Sequence, residues 1–279
     1  MNFDPRITPA RPDLAASHLR GKVKAGQYVD GTVQEVIIGI APVRSGPSHG
    51  ATQVTEALRG ERVTIYESDD EGWAWGQLAA DGYVGWLPAA ALLAPTADAT
   101  HKVTALRTFV FPGPSIKLPP MDALPLGAQV TVAGEQDSFA ALASGGYVPK
   151  NHLAALNTHE TDFVAVTERF VGTPYLWGGK SSLGIDCSGL VQVALNACGI
   201  PCPRDSDMQE AALGKPVSLA GLQAGDLIFW KGHVAIARGR NSMIHANAFH
   251  MAVTIEPVAE ALARIGATGS QVTSVRRLK

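Results

Sequence analysis

Cysteine is scarce. The chain has three in 279 residues, Cys187, Cys198 and Cys202, all inside one short stretch. A disulfide framework needs cysteines that are spread out and even in number, so none is expected. Cys198 and Cys202 are spaced C-x3-C, but no second cysteine pair or spaced histidine pair accompanies them, so no metal or other cofactor is expected. Charge is also sparse: 17% of residues are charged, the formal net charge is -2, and no Lys/Arg block occurs. No nucleic-acid partner is expected on that basis. No window approaches the ~18 apolar residues of a membrane span, so no membrane partner is expected either. The first thirty residues lack a basic start followed by an apolar run. No secretory signal is read there, and a cytoplasmic location is expected; a longer precursor would place the protein in the cell envelope instead.

Glycine and proline are plentiful, at 29 and 18. They break the chain into short runs, which favours short strands over long helices. Residues 1–30 read as an extension with a short helix over "DLAASHLRGKV". Residues 31–96 hold four β runs, "VQEVIIGIAPV", "ERVTIYES", "GWAWGQLA" and "GYVGWLP", separated by turn signals. Strands this short in one sixty-residue unit suggest a small barrel. The pattern recurs over 97–157, where "LPLGAQVTVAGE" matches "LRGERVTIYE" and "GGYVPKNHL" matches "DGYVGWLPAAAL", an internal repeat.

From residue 158 the character changes. "THETDFVAVTERFVGTPY" predicts a helix with Phe163, Val166, Phe170 and Val171 on one face, capped by Thr161 or Asp162. A second helix starts near Cys187, carries Leu190, Val191, Ala194, Leu195 and Cys198 at three-and-four spacing, and closes at Gly199. "GDLIFWKGHVAIARG" reads as a hairpin turning at Lys231-Gly232, and "NSMIHANAF" as a further strand. Helices followed by an antiparallel sheet are the α+β order.

A cysteine in the first turn of a helix meets unpaired N–H groups and the positive end of the dipole, which are expected to lower its pKa. That singles out Cys187 as a nucleophile. A nucleophile needs a base, and the base needs an orienting group. His233 opens "HVAIA" and His245 lies in "MIHAN". If those strands are neighbours the imidazoles are adjacent, one abstracting the proton while the other fixes its tautomer. His250, near a strand end, is the weaker choice. The competing reading is that His233 merely ends a hairpin, His245 is a satisfied core histidine and Cys187 is core filling.

At these residues the chain resembles the NlpC-type family of bacterial cell-wall cysteine peptidases. "GTPYLWGGKSSLGIDCSGLVQVAL", "PCPRDSDMQ", "LQAGDLIFW", "HVAIARG" and "MIHAN" occur in the family's order. The resemblance implies a papain-like domain over 158–279, preceded by two SH3-like barrels. It implies that Cys187 is the nucleophile, His233 the base, His245 the third member, and Tyr175 a hydroxyl at the oxyanion. Asp186, Ser188, Ser206 and Trp177 would contact substrate. Glu56 and Tyr83, with Asp186, would recognise a free N-terminal amine; otherwise Glu56 is a solvated turn residue and Tyr83 barrel core. The implied partner is a murein peptide, cleaved between γ-D-glutamate and an L-diamino acid in peptidoglycan turnover. The two-residue Lys231-Gly232 segment is shorter than in many relatives. An amidase or acyltransferase using the same thiolate, or a non-catalytic binding module, would be the alternatives.

Overall fold

A computed structural model describes residues 3–278. The chain divides into two units, Met1–Asn157 and Thr158–Lys279.

The first unit holds a seven-stranded sheet in the order Gln53–Leu58, Ile40–Arg44, Val84–Pro88, Trp73–Leu78, Arg62–Ser68, Thr32–Val36, Leu92–Leu93. Alternate residues of these strands face inward, and Val36, Val43, Val63, Ile65, Leu78 and Leu87 form a core. "VQEVIIGIAPV" is two strands, not one, because the chain turns at Gly39, where a side chain would collide with the Ala123 backbone. The strand Gln53–Leu58 carries no alternation in its sequence and was not expected. Residues 101–155 reuse the same wiring. His101–Val103 pairs with Leu153–Ala155 and Gln129–Val130, as Thr32–Val36 pairs with Leu92–Leu93 and Arg62–Ser68. In both stretches a glycine with positive φ, Gly60 or Gly127, donates its N–H back to the first strand, at Val36 or Val103.

The helix expected over residues 13–23 does not form. Leu14–Ala16 is a strand, all three residues buried, paired in parallel with Gln27–Val29, and a 3-10 turn follows. Burial on both sides outweighs the helical preference of Leu-Ala-Ala. The segment packs on the first sheet: the Arg11 guanidinium lies 4.4 Å from the Trp75 ring and 5.0 Å from Trp86, and pairs with Glu67 at 2.6 Å.

The second unit mixes helix and sheet. Helix α1 spans Phe163–Glu168, α2 Cys187–Ala197, α3 Ser206–Ala212 and α4 Val258–Ala267. Asp162 caps α1, accepting from the N–H groups of Val164 and Ala165. Val166 and Phe170 are buried, but Val171 lies beyond the helix and is half exposed, contrary to its expected place on the apolar face. The six-stranded antiparallel sheet runs Lys215–Pro216, Val272–Arg277, Leu227–Trp230, His233–Ala237, Ser242–Asn247, Ala252–Pro257. The hairpin turns at Lys231-Gly232, with Gly232 at positive φ. Helix α4 was not foreseen, although Pro257 stands at its N-cap and Val258 and Ala261 give it a buried face.

Helix α2 is buried on every side from Cys187 to Leu195, so it is a central core helix rather than an amphipathic one. Gly199, at φ 74°, ends it. Its start is fitted closely to the preceding loop. A side chain at Gly189 would strike the Gly179 carbonyl and come within 3.0 Å of the Asp186 carboxylate. Gly189→Ala should therefore destabilise the protein by about 1–3 kcal/mol through overpacking. Urea unfolding checks this, and an unchanged midpoint would mean that the loop yields freely.

Candidate active site

The start of α2 is organised by a carboxylate. Asp186, the N-cap, accepts at Oδ1 from the Gly189 N–H (2.7 Å) and at Oδ2 from the Gly178 N–H (2.8 Å). Arg204 grips both oxygens, Nη1 to Oδ1 at 2.9 Å and Nη2 to Oδ2 at 2.7 Å. The same guanidinium donates to Ser188 Oγ at 2.9 Å and to the Gly179 carbonyl at 3.3 Å, and Ser188 Oγ donates to Asp186 Oδ1 at 3.3 Å. Arg204 is only 1% exposed. The Asp186 carboxylate expected at a substrate's amine is thus already engaged by five donors. An ammonium there would have to share its oxygens with Arg204.

Cys187 follows at the helix start, with 7% of its surface exposed. Its thiol does not follow the expectation from the helix dipole. Burial pushes its pKa up to about 12, with the Asp186 charge adding to the rise; the Val234 N–H, Arg204 and the Ser188 N–H pull the other way and are outweighed. The Val234 contact places the sulfur beside the residue that follows His233. Tyr175 is pushed upward too, first by burial and then by Cys187 and Asp186, so its hydroxyl is a donor at neutral pH.

His233–Ala237 and Ser242–Asn247 are neighbouring antiparallel strands, with Ile236 opposite Ile244. That register makes His233 and His245 a diagonal pair on one face. His233 Nε2 lies 2.8 Å from His245 Nδ1. Burial, together with the His245 and Arg264 charges, pushes the His233 pKa down to about 3. Burial also lowers that of His245, against the pull of Glu256. His245 Nε2 lies 2.6 Å from Glu256 Oε1, and Arg264 Nη2 donates to that same oxygen. The weaker choice, His250, is exposed and bonded to Asn247.

The second unit thus brings together Tyr175, Asp186, Cys187 and Ser188 around the start of α2, and His233 with His245 on the sheet. Ser206 opens α3 and is buried, while Trp177 is 62% exposed. Glu56 and Tyr83 belong to the first unit. Glu56 is buried in the strand Gln53–Leu58, not in a solvated turn, and Tyr83 lies in the first sheet's core. Sequence reasoning missed Arg204 and Glu256. The one available signal for Arg204 was a charged residue in the tight segment "PCPRDS". Among the described residues no three His, Cys, Asp or Glu side chains cluster as a metal site.

The NlpC/P60 family profile matches residues 172–267, and that of the bacterial dipeptidyl-peptidase Sh3 domain matches residues 43–92. The chain is 30% identical over 240 residues to a gamma-D-glutamyl-L-lysine dipeptidyl-peptidase of Bacillus cereus, covering 73% of this chain and 70% of that protein. It is 44% identical over 78 residues to dipeptidyl-peptidase 6 of Lysinibacillus sphaericus, spanning only 29% of that relative's length. The crystal structure of an NlpC/P60 family protein from Bacillus cereus superposes with a TM-score of 0.74 at 24% identity, covering 88% of this chain and 99% of that one. This last likeness concerns the fold.

Three outcomes follow from the geometry and the pKa directions. Asp186→Asn leaves Arg204 buried without its counter-charge and should cost about 3–5 kcal/mol of stability; a raised KM at unchanged thermal midpoint would instead make Asp186 solely a substrate contact. The pKa directions make the resting pair a neutral thiol and a neutral imidazole. kcat/KM should therefore run flat through pH 6.5, and a limb centred there would mean a solvated His233. The depressed His233 also makes folding stability fall as pH drops from about 6.5 toward 3, because only the unfolded chain takes up that proton in this window.

Proposed function

Because the chain belongs to the NlpC/P60 family, whose members are cell-wall peptidases, we propose that it is a cysteine endopeptidase acting on murein peptides. The bond cleaved is that between γ-D-glutamate and an L-diamino acid, meso-diaminopimelate, in peptides with a free N-terminal L-alanine, during peptidoglycan turnover or recycling. The observation that carries this reading is the buried Cys187 thiol at the Val234 N–H, one residue along the strand from His233, whose imidazole is bonded to His245 at 2.8 Å.

The chemistry follows from the protonation states. His233 takes the Cys187 proton as the sulfur attacks the γ-glutamyl carbonyl. The Tyr175 hydroxyl and the Cys187 N–H donate to the oxyanion of the tetrahedral intermediate. The His233 imidazolium then protonates the departing amine, leaving a thioester. A water molecule, deprotonated by His233, hydrolyses the thioester and frees the thiol. Because the thiol starts protonated, His233 must act in the attack itself. The catalytic fold is read as papain-like, and residues 31–96 and 97–157 as two SH3-like barrels.

Incubation with L-Ala-γ-D-Glu-diaminopimelate and with its N-acetylated form tests the proposal. Release of L-Ala-D-Glu is expected only from the free amine, and no cleavage of either peptide would overturn it. Cys187→Ala should abolish turnover with the circular dichroism spectrum unchanged. Residual activity above roughly a few per cent of wild type would remove Cys187 as nucleophile.

A further inference from the structure

The two histidines are wired to an acid that the proposed reaction has not yet used. His245 lies opposite Thr254 on the neighbouring strand, so Glu256, two residues on, shares its face. Glu256 Oε1 is 2.6 Å from His245 Nε2 and also accepts from Arg264 Nη2 on α4. Burial would raise the Glu256 pKa, but its bonds to Arg264 and His245 win and hold it below the usual carboxylate range. The groups that charge or titrate around His245 are His233, Glu256, Arg264 and His250.

A chain of donor and acceptor roles follows. A carboxylate can only accept, so His245 Nε2 must carry the hydrogen. A neutral His245 then offers a bare Nδ1. The 2.8 Å contact with His233 needs one hydrogen, which must come from His233 Nε2. That leaves the lone pair of His233 on Nδ1. We propose that Glu256, clamped by Arg264, is a positioning residue that fixes the tautomers of both histidines so that His233 presents a basic Nδ1 to the catalytic thiol. This rests on reading Cys187 and His233 as the reacting pair. When His233 takes the thiol proton on Nδ1, its Nε2–H keeps donating to His245, so the positive charge forms without any hydrogen bond being remade.

Glu256→Gln keeps shape and removes the charge. Arg264 claims the amide oxygen, so the NH2 faces His245 Nε2. His245 must then carry its hydrogen on Nδ1 and donate it to His233 Nε2, which moves the His233 hydrogen to Nδ1 and blocks the base. The test uses the full chain labelled with 15N-histidine, in long-range 1H–15N correlation spectra at pH 7.5, with signals assigned through His233→Gln and His245→Gln. Wild type should show both residues as Nε2–H tautomers, and Glu256→Gln both as Nδ1–H. Its kcat on L-Ala-γ-D-Glu-diaminopimelate should fall about 100-fold, with KM within about twofold. A wild-type His245 in the Nδ1–H form, or an unchanged kcat in Glu256→Gln, overturns the proposal. If Glu256→Gln fails to fold, the wild-type tautomers decide alone. His233→Gln separates the two levels: an active His233→Gln sinks the reacting pair itself, whereas an inactive one beside an active Glu256→Gln sinks only the role of Glu256.

Discussion

Arg204 is an arginine with 1% of its surface exposed, and the carboxylate that neutralises it caps the helix that begins with Cys187. Burying a guanidinium costs several kcal/mol unless its charge is met and its donors are used. Asp186 meets the charge at both oxygens, and Ser188 Oγ and the Gly179 carbonyl take further donor capacity. The pair therefore fastens three pieces of chain, the segment before α3, the loop at Gly178-Gly179, and the first turn of α2. Tyr175 lies just upstream in that loop, and Cys187 is the next residue after the anchor. Because neither ion can be left alone, the position of the thiol is set by a pair that the protein cannot give up without loss of fold.

The same burial sets the chemistry. A helix start offers N–H groups and a favourable dipole, worth at most a couple of kcal/mol. Removing a thiolate from water while a carboxylate sits beside it costs more, and the thiol stays protonated. The imidazole is driven the opposite way for the same reason, since burial disfavours its charged form. Both shifts come from one cause acting on groups of opposite charge type. On these directions Cys187 and His233 rest uncharged, and charge separation between them is deferred to the step in which donors stand ready for it.

How much of this was legible in the sequence depends on how far apart the partners lie. Features set within a few residues were readable. The N-cap at Asp162, the stop at Gly199 and the two-residue turn at Lys231-Gly232 follow from local chain chemistry, and two-residue periodicity put His233 and His245 on one face once their strands were paired. Features set by distant partners were not. Arg204 is 18 positions from Asp186 and Glu256 is 11 from His245, and nothing in either local pattern announces the partner. The pKa direction of Cys187 failed for this reason, since the local dipole was visible and the tertiary burial was not. Leu14–Ala16, read as helix, failed likewise, because its strand pairing and its burial come from elsewhere in the chain.

The thiol side and the base side of the site are built on different elements, yet each rests on the same unit, an arginine gripping a carboxylate. Asp186 is held by Arg204 and orients backbone N–H groups; Glu256 is held by Arg264 and orients an imidazole. Arginine suits both places because its permanent charge keeps a carboxylate ionised, and at Asp186 its planar donors also take both oxygens and fix the carboxylate plane. The two clamps differ in depth. Arg204 is fully enclosed, whereas the Arg264 side chain is 24% exposed. Loss of the enclosed clamp strands a charge in the interior and acts on the fold. Loss of the outer one can be made good by water around the arginine, and acts on which nitrogen of His233 carries the hydrogen.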